Sequence, residues 1–327
     1  MILTSSCIIC GNSNNNQFFK AKELQLGLGD EFIYQLCGSC GSAQLQTPPQ
    51  DFSQYYPNES YYSFKMEMKS LKKPGVLRLL KASYILYGKN KLAGKLLSIG
   101  YKVPEFYGWM KDSNAKLNDA ILDVGCGNGG LLTKLHQMGF TRLTGIDPFI
   151  KEGHDYGEIK IFKKDIFELE SKFDVIMMHH SLEHMTDPLD AMKKAHSLLN
   201  DNKYLLVRIP VIGNYGWQKY KEYWAGLDAP RHIFIPSEKG MRMLAEQSGF
   251  ELVKLEYDTV DYLIWCSEQY MKGISLYADN SHMINKKNSS FSKKEIKQFR
   301  QKLAEENARN NGDTAAFYLK KVDRLTS

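Results

Sequence analysis

The chain has 327 residues, of which 43% are hydrophobic and 24% charged, and its formal net charge is +6. This supplies enough apolar material for one large core and an accessory unit. The longest apolar runs are too short to span a bilayer, and the first residues lack the basic-then-apolar pattern of a secretory signal, so we expect a cytoplasmic protein.

Two CxxC units stand near the start of the chain, CIICG (7–11) and CGSCG (37–41). In a reducing compartment, paired cysteines indicate a metal more often than a disulfide. Four thiolates favour a structural Zn²⁺ ion. The gap between the units exceeds the usual ribbon spacing, so a hairpin must intervene. We therefore predict a zinc-ribbon segment over 1–50. A redox dithiol and unliganded thiols are the alternatives. The predicted zinc ligands are Cys7, Cys10, Cys37 and Cys40.

Residues 51–118 are predicted to form a linker followed by one or two basic amphipathic helices. Residues 65–102 carry ten Lys/Arg against the single acid Glu67, and 286–302 carry seven against Glu295. Such clusters suit phosphates or the surface of a membrane, and they are also typical of solvated helix faces.

From residue 119 the pattern alternates between short apolar runs and helical periodicity. Glycine or Asp-Pro punctuation separates the elements, and Asp187 with Pro188 marks the start of one helix. This alternation predicts a doubly wound α/β sheet over 119–327, with an insert at 258–312. The predicted strands are 120–124, 142–146, 158–162, 173–178, 204–209, 250–257 and 313–322, and the predicted helices are 130–138, 188–199 and 237–249.

The stretch LDVGCGNGG follows the first of these strands and opens a helix, where glycines let a backbone approach a ligand closely. Gly125, Gly127 and Gly130 formally satisfy GxGxxG, so a dinucleotide-binding dehydrogenase is one alternative. Asp147 ends the next strand and would bind ribose hydroxyls in either case. Asp123 better suits a cationic or amino-acid-bearing ligand, and Asp165 offers an acceptor for an adenine amino group.

Taken together, ILDVGCGNGGLL, LTGIDP, KKDIFEL, FDVIMMHHSLEHMTDP, KYLLVRIP and SGFELV resemble the class I S-adenosylmethionine-dependent methyltransferases, over about 119–257. The start of the chain resembles the zinc ribbon of a bacterial subgroup. The resemblance implies strand order 3-2-1-4-5-7-6 with an antiparallel last strand, and S-adenosylmethionine over the carboxyl ends of the strands. The residues that it assigns to the cofactor are Asp123, Gly125, Cys126, Gly127, Gly129, Asp147, Pro148, Asp165, Ile166, His179, His180 and Tyr62.

The stretch MMHHSLEHMTDP (177–188) contains three histidines. Because Asp187 and Pro188 begin the following helix, the histidines lie on a loop, and the i,i+4 spacing of a helical metal pair does not apply to His180 and His184. The resemblance places His184 and Glu183 near the methyl acceptor, and His232 of the PRH stretch is a second candidate base. Arg231 or Trp224 would grip the acceptor.

We therefore predict methyl transfer to a small-molecule or sugar-type acceptor, since the zinc-ribbon relatives look like enzymes of polysaccharide or secondary-metabolite pathways. An RNA methyltransferase and an inactive cofactor-binding scaffold are the alternatives. No patch combines dense Lys/Arg with stacking aromatics, so we do not expect a nucleic-acid partner. A peripheral membrane contact is compatible with the basic clusters. The sequence determines neither the acceptor nor the oligomeric state.

Overall fold

The computed structural model describes residues 6–56 and 71–322, which form two β-sheets and the helices around them. The strands are β1 (Gln17–Lys22), β2 (Glu31–Leu36), β3 (Ala43–Leu45), β4 (Ala120–Val124), β5 (Arg142–Ile146), β6 (His154–Asp155), β7 (Ile159–Phe162), β8 (Phe173–His179), β9 (Leu199–Pro210), β10 (Phe234–Ile235), β11 (Phe250–Tyr257) and β12 (Thr314–Lys321). The helices are α1 (Val76–Tyr87), α2 (Lys91–Leu97), α3 (Glu105–Asp112), α4 (Gly130–His136), α5 (Pro188–Leu198), α6 (Tyr215–Tyr220), α7 (Glu238–Gln247), α8 (Tyr262–Met271) and α9 (Lys293–Ala308).

The larger sheet has the order β11-β12-β9-β8-β4-β5-β7-β6. Strands β7, β5, β4, β8 and β9 are parallel, and β12 is antiparallel to both β9 and β11. This confirms the predicted order 3-2-1-4-5-7-6 with its antiparallel last strand. The short strand β6 adds an antiparallel edge beyond β7, which the sequence did not predict.

Both faces of the larger sheet are buried at its central strands β4 and β8, as parallel strands between helices require. In β4, Leu122 and Val124 pack into one apolar core, while Ile121 packs into the other. The alternation of side chains along a strand produces this division. Because both faces are covered, a ligand can reach the sheet at the carboxyl ends of the strands, where the loops that follow them lie.

The helix boundaries follow local signals. Pro188 is the first residue of α5, where a missing N–H costs nothing, as predicted. Asp187 occupies the preceding position, but its side chain makes no capping hydrogen bond. Ser237 does cap α7, since its side chain accepts from the Gly240 N–H. Residues 200–203, which separate the predicted helix 188–199 from the predicted strand 204–209, are an irregular part of β9, where the pairing with β8 shifts register.

The predicted insert at 258–312 contains α8 and α9, and it returns the chain to β12. Helix α9 begins with a capping box between Ser292 and Glu295, in which each side chain satisfies the other's backbone N–H. Helix α8 is mostly buried and packs beside α6. The insert therefore covers the side of the larger sheet that lies beyond β9.

The smaller sheet has the order β1-β2-β3-β10, all antiparallel. Strands β1 and β2 are the hairpin that the cysteine spacing required. Strand β10 belongs to the loop after β9, so the N-terminal segment pairs with the main domain. Tyr34 reinforces this joint, because its hydroxyl donates to the His232 carbonyl at 2.8 Å.

Helices α1–α3 lie between the two sheets in the sequence and present a basic, partly apolar surface. Residues 71–104 hold eight Lys/Arg and no acid. Leu92 is 93% exposed, and Leu96 and Ile99 are also largely exposed. Within residues 6–56 and 71–322, no helix is long and apolar enough to cross a membrane.

Candidate functional site

A cavity of about 1110 Å³ opens at the carboxyl ends of the five parallel strands. Each of these strands contributes to its lining: Gly125 follows β4, Asp147 follows β5, Asp165 follows β7, His180 follows β8, and Pro210 ends β9. The crevice beyond the carboxyl ends is the expected ligand site of such a sheet. The opposite wall comes from the insert, from the loop after β9 and from segments that flank the smaller sheet, namely Gln25 and residues 50–56.

The glycine loop has the backbone that the sequence predicted. Gly125, Gly127 and Gly129 have φ values of +76°, +51° and +75°, which glycine adopts without strain. A Cβ on Gly125 would lie 2.5 Å from the Cβ of Ser181, so a larger residue would collide with the loop after β8. Gly125 lines the cavity; Gly127, Gly129, Cys126 and Asp123 are not among its lining residues.

The Asp147 carboxylate organises this loop. Its Oδ2 accepts from the Gly127 N–H at 3.0 Å, and its Oδ1 accepts from the Phe149 N–H at 2.8 Å. Burial raises the pKa of Asp147, although these two N–H groups oppose the shift. Burial and the nearby Asp147 raise the pKa of Asp123 to about 7. Asp123 thus acts behind the loop and does not face the cavity.

Three further residues expected at the cofactor, Pro148, Asp165 and Ile166, line the same cavity. Asp165 begins a short 3₁₀ turn over Ile166–Glu168, and its Oδ1 accepts from the Phe167 N–H at 3.0 Å. The sequence-predicted aspartates after β5 and β7 therefore meet at one edge of the cavity. The glycine cradle and these carboxylates fit a nucleoside-bearing ligand.

His179 and His180 lie at the end of β8 and line the cavity. His179 is half-buried and packs against Trp109, with ring centroids 4.3 Å apart, and neither of its buried ring nitrogens has a partner among the described residues. His180 adopts φ +50°, which is strained for a residue other than glycine. The Nε2 of His180 accepts from Arg208, so its proton lies on Nδ1 and faces Glu183 Oε1 at 3.2 Å.

His184 and His232 come from different loops and lie together, with ring centroids 4.9 Å apart. His184 Nδ1 is 2.8 Å from the Arg231 carbonyl, and His232 Nδ1 is 2.9 Å from the Gly226 carbonyl. Because a carbonyl only accepts, each Nδ1 carries a proton, so Nε2 is the nitrogen with the lone pair in the neutral form of each ring. Burial, then the neighbouring His232, lowers the pKa of His184. Both histidines line the cavity.

The side chains of Arg231 and Trp224 lie away from the cavity lining, contrary to the expected role in gripping the acceptor. Arg231 is buried and pairs with Glu23 at 3.1 Å and with Asp228 at 2.6 Å. Trp224 is buried against Gly216 and Gly226. Arg231 instead joins the smaller sheet to the loop that carries His232.

Several cavity residues were not predicted from the sequence. Tyr56 lies with its hydroxyl 3.2 Å from His184 Nδ1 and stacks on Phe149. Asp228, Tyr262 and Tyr277 also line the cavity. The sequence offers two tyrosine pairs, 55–56 and 61–62, and the prediction chose the second. Tyr62 lies outside the described residues.

The four cysteines of the CxxC units converge as predicted. Their Sγ atoms all lie within 4.8 Å of one another. Cys7 and Cys40 are separated by 3.6 Å, and Cys10 and Cys37 by 3.5 Å. Tetrahedral ligation at about 2.3 Å per thiolate requires sulfurs about 3.8 Å apart, so this arrangement fits one Zn²⁺ ion.

The two CxxC turns have the same backbone hydrogen bonds. In each, the following glycine donates to the first cysteine: Gly11 N–H to Cys7 O, and Gly41 N–H to Cys37 O. Both glycines have φ near +70°. Two equivalent turns facing each other hold four sulfurs around one point.

Comparison with known proteins agrees with this arrangement. A family model described as a methyltransferase domain matches residues 78–255, more than half of the chain. A tRNA U34 carboxymethyltransferase of Campylobacter jejuni is 25% identical over 151 residues, covering 40% of this chain and 49% of the relative. One of Campylobacter fetus is 26% identical over 178 residues, covering 49% and 61%. The chain thus spans about half the length of the first of these relatives and less than two thirds of the second.

Among solved structures, a mycolic acid cyclopropane synthase complexed with SAH and CTAB is similar, at 13% identity and a TM-score of 0.45. The match covers 72% of this chain and 88% of that one.

Proposed function

Because the chain belongs to the class I S-adenosylmethionine-dependent methyltransferase family, we propose that it transfers a methyl group to a small polar acceptor, such as a sugar. S-adenosylmethionine supplies the activated methyl group when it is bound. The glycine loop, Asp147 and Asp165 would hold this cofactor. The acceptor then enters from the side of the insert and the smaller sheet.

The charge of the cavity lining supports this proposal. Among the described residues, the lining contains two cationic side chains, Lys164 and Arg208, and Arg208 is already paired with Asp258 at 2.6 Å. A carboxylate-rich wall repels the phosphates of a polyanion, whereas it accepts hydrogen bonds from hydroxyls. The five lining aspartates are Asp51, Asp147, Asp165, Asp187 and Asp228.

The acceptor end of the cavity is assigned to Glu183, His184 and His232. With each Nδ1 held by a carbonyl, the Nε2 of either histidine is able to take the proton of an acceptor hydroxyl. Tyr262 and Tyr277 offer flat faces for a sugar ring. The proposed role of these residues is to position the acceptor and to accept the proton that it loses.

The test uses radiolabelled S-adenosylmethionine and a cell extract divided into a low-molecular-weight filtrate and an RNA fraction. The proposal expects labelled product in the filtrate with the wild-type protein and none with His184→Ala. Label that appears only in nuclease-sensitive RNA would overturn the small-acceptor assignment. Absence of S-adenosylhomocysteine binding by calorimetry would overturn the enzyme assignment.

A nucleic-acid acceptor is the second candidate, favoured by the names of the Campylobacter relatives and by the basic surface of α1–α2. Exposed Leu92, Leu96 and Ile99 interrupt that surface, and they contribute nothing to phosphate binding. A gel shift with bulk tRNA at two salt concentrations discriminates the candidates. Salt-sensitive binding that Lys91→Glu with Lys95→Glu abolishes would support RNA.

We also propose that Cys7, Cys10, Cys37 and Cys40 bind Zn²⁺ with a structural role. Four thiolates close the coordination shell, so no position is left for a substrate. The ion would fix the smaller sheet, which carries part of the cavity wall.

A further inference from the structure

Among the described residues, a second group has side chains placed to share one metal ion: Glu183, His184 and His232. One carboxylate oxygen and one ring nitrogen from each histidine lie within 4.8 Å of one another. Glu183 and His184 belong to a 3₁₀ turn after β8, while His232 belongs to the loop after β9. The sequence gives no sign of this group, because His232 is 48 residues from the adjacent pair Glu183 and His184.

The two imidazoles are oriented as metal ligands are. A metal-bound histidine usually donates its other ring N–H to a carbonyl or carboxylate, which fixes the tautomer. His184 does this through Nδ1 to the Arg231 carbonyl, and His232 does it to the Gly226 carbonyl. Both Nε2 lone pairs are thereby left for a ligand on the cavity side.

The Glu183 carboxylate is buried and only partly satisfied. It is 0% exposed, and Oε1 accepts from His180 Nδ1 at 3.2 Å. Oε2 has no hydrogen-bond partner in residues 6–56 and 71–322. A buried carboxylate oxygen without a donor is costly unless a cation or a proton compensates for it.

The separations favour a shared ion over a direct hydrogen bond. His232 Nε2 lies 3.9 Å from Glu183 Oε1, which is longer than a hydrogen bond. Two ligand atoms, each about 2.1 Å from one ion, can be up to about 4.2 Å apart. The His232–Glu183 separation is therefore one that a single ion can span, and one ring nitrogen of His184 lies within 4.8 Å of both ligand atoms.

We propose that Glu183, His184 and His232 bind a divalent transition-metal ion at the acceptor end of the cavity. Two histidines and one carboxylate suit Zn²⁺, Fe²⁺ or Mn²⁺, and three protein ligands leave a position open. His184 and His232 line the cavity, so the open position is accessible to an acceptor. This role rests on the proposed function: the ion would hold an oxygen of the acceptor, and the two imidazoles then act through the ion.

The cysteine site allows the second ion to be counted separately. Wild-type protein that is stripped with a chelator and reloaded with Zn²⁺ is expected to hold about two equivalents of Zn²⁺ per chain. The Glu183→Gln and His232→Ala variants are each expected to hold about one equivalent. The exposed His154→Ala is the matched control and should keep both. Reloading with Co²⁺ identifies the site lost, since the Cys₄ site alone gives thiolate charge-transfer bands.

Wild-type protein that holds only the thiolate-bound ion after reloading would overturn the proposal. So would a second equivalent that survives in both Glu183→Gln and His232→Ala. Calorimetry with S-adenosylhomocysteine is run on the same samples. Glu183→Gln should bind it like the wild type, so loss of the second ion is separated from misfolding and from failure of the methyltransferase assignment.

Discussion

His184 donates a hydrogen bond from Nδ1 to the backbone carbonyl of Arg231 at 2.8 Å, and this bond joins the loop after β8 to the loop after β9. The bond sets the tautomer of His184, so that Nε2 is unprotonated on the cavity side. It also makes the position of His184 depend on Arg231, whose side chain is buried in ion pairs.

Replacement of His184 by alanine should lower kcat/KM by about 10²–10⁴-fold, because it removes the nitrogen that we propose takes part in the acceptor's proton transfer. S-adenosylhomocysteine affinity should stay near the wild-type value. Methyl-transfer kinetics and calorimetry measure the two quantities, and the exposed His154→Ala serves as the control. Wild-type kinetics in His184→Ala would contradict the assignment of this side chain to the acceptor.

Replacement of Arg231 by methionine should lower the free energy of unfolding by about 3–5 kcal/mol, since the buried Glu23 and the half-buried Asp228 would lose their cationic partner. Arg242→Met is the control, because its pair with Glu238 is on the surface and should contribute less than about 1 kcal/mol. Urea unfolding measures both variants. Equal, small losses would mean that the buried network does not hold the smaller sheet against the loop after β9.

Replacement of Asp147 by asparagine should weaken S-adenosylhomocysteine binding by about 10–100-fold, the effect of losing hydrogen bonds to a charged group. The carboxylate accepts the Gly127 and Phe149 N–H groups, and asparagine offers only one acceptor oxygen for them. Calorimetry provides the measurement, with the exposed Asp155→Asn as the control. An unchanged affinity would remove Asp147 from the cofactor site.

Replacement of Cys7 by serine should release the proposed Zn²⁺ and reduce the soluble yield, because one thiolate of the closed shell is lost. Ser39 is exposed in the second CxxC turn, so the control variant Ser39→Ala should retain the metal. Metal analysis and thermal melting distinguish the two variants. A Cys7→Ser protein with wild-type metal content and melting temperature would show that the four thiolates do not bind an ion together.

The sequence was sufficient for the seven predicted strands of the larger sheet, though not for the edge strand β6, because each of the seven carries a local signal. The apolar run of β4, the glycine loop and the Asp187–Pro188 helix start all depend on neighbours in the chain. The two CxxC units likewise have a spacing that predicts their convergence. Their four sulfurs meet in the structure as the spacing required.

The acceptor side could not be predicted in the same way, because it is assembled from contacts distant in sequence. The pairing of β3 with β10 and the salt bridge between Glu23 and Arg231 bring the smaller sheet against the cavity. No periodic pattern in the sequence predicts either contact. The sequence therefore predicted that Arg231 contacts the acceptor. In the structure its side chain is instead a buried cation, paired with Glu23 and Asp228.

Replacement of Asp123 by asparagine should remove a pH dependence from stability. Burial and Asp147 raise the pKa of Asp123 to about 7, above the value of about 3.9 for an unfolded chain. The folded state therefore binds the extra proton. The stability from this group is present at low pH and is lost as the pH rises toward 7, by at most about 4 kcal/mol.

The difference in unfolding free energy, Asp123→Asn minus wild type, should thus increase between about pH 5 and pH 7 and then level off. Urea unfolding of both proteins across this range measures it, and contributions from groups that do not interact with Asp123 cancel in the difference. Asp174→Asn is the control of opposite sign. Burial opposes ionisation of Asp174, but hydrogen bonds from Ala120, Asn200 and Lys203 hold its pKa below the usual value, so its replacement should cost stability above that pKa. A flat difference for Asp123→Asn would mean that this carboxyl stays ionised behind the glycine loop.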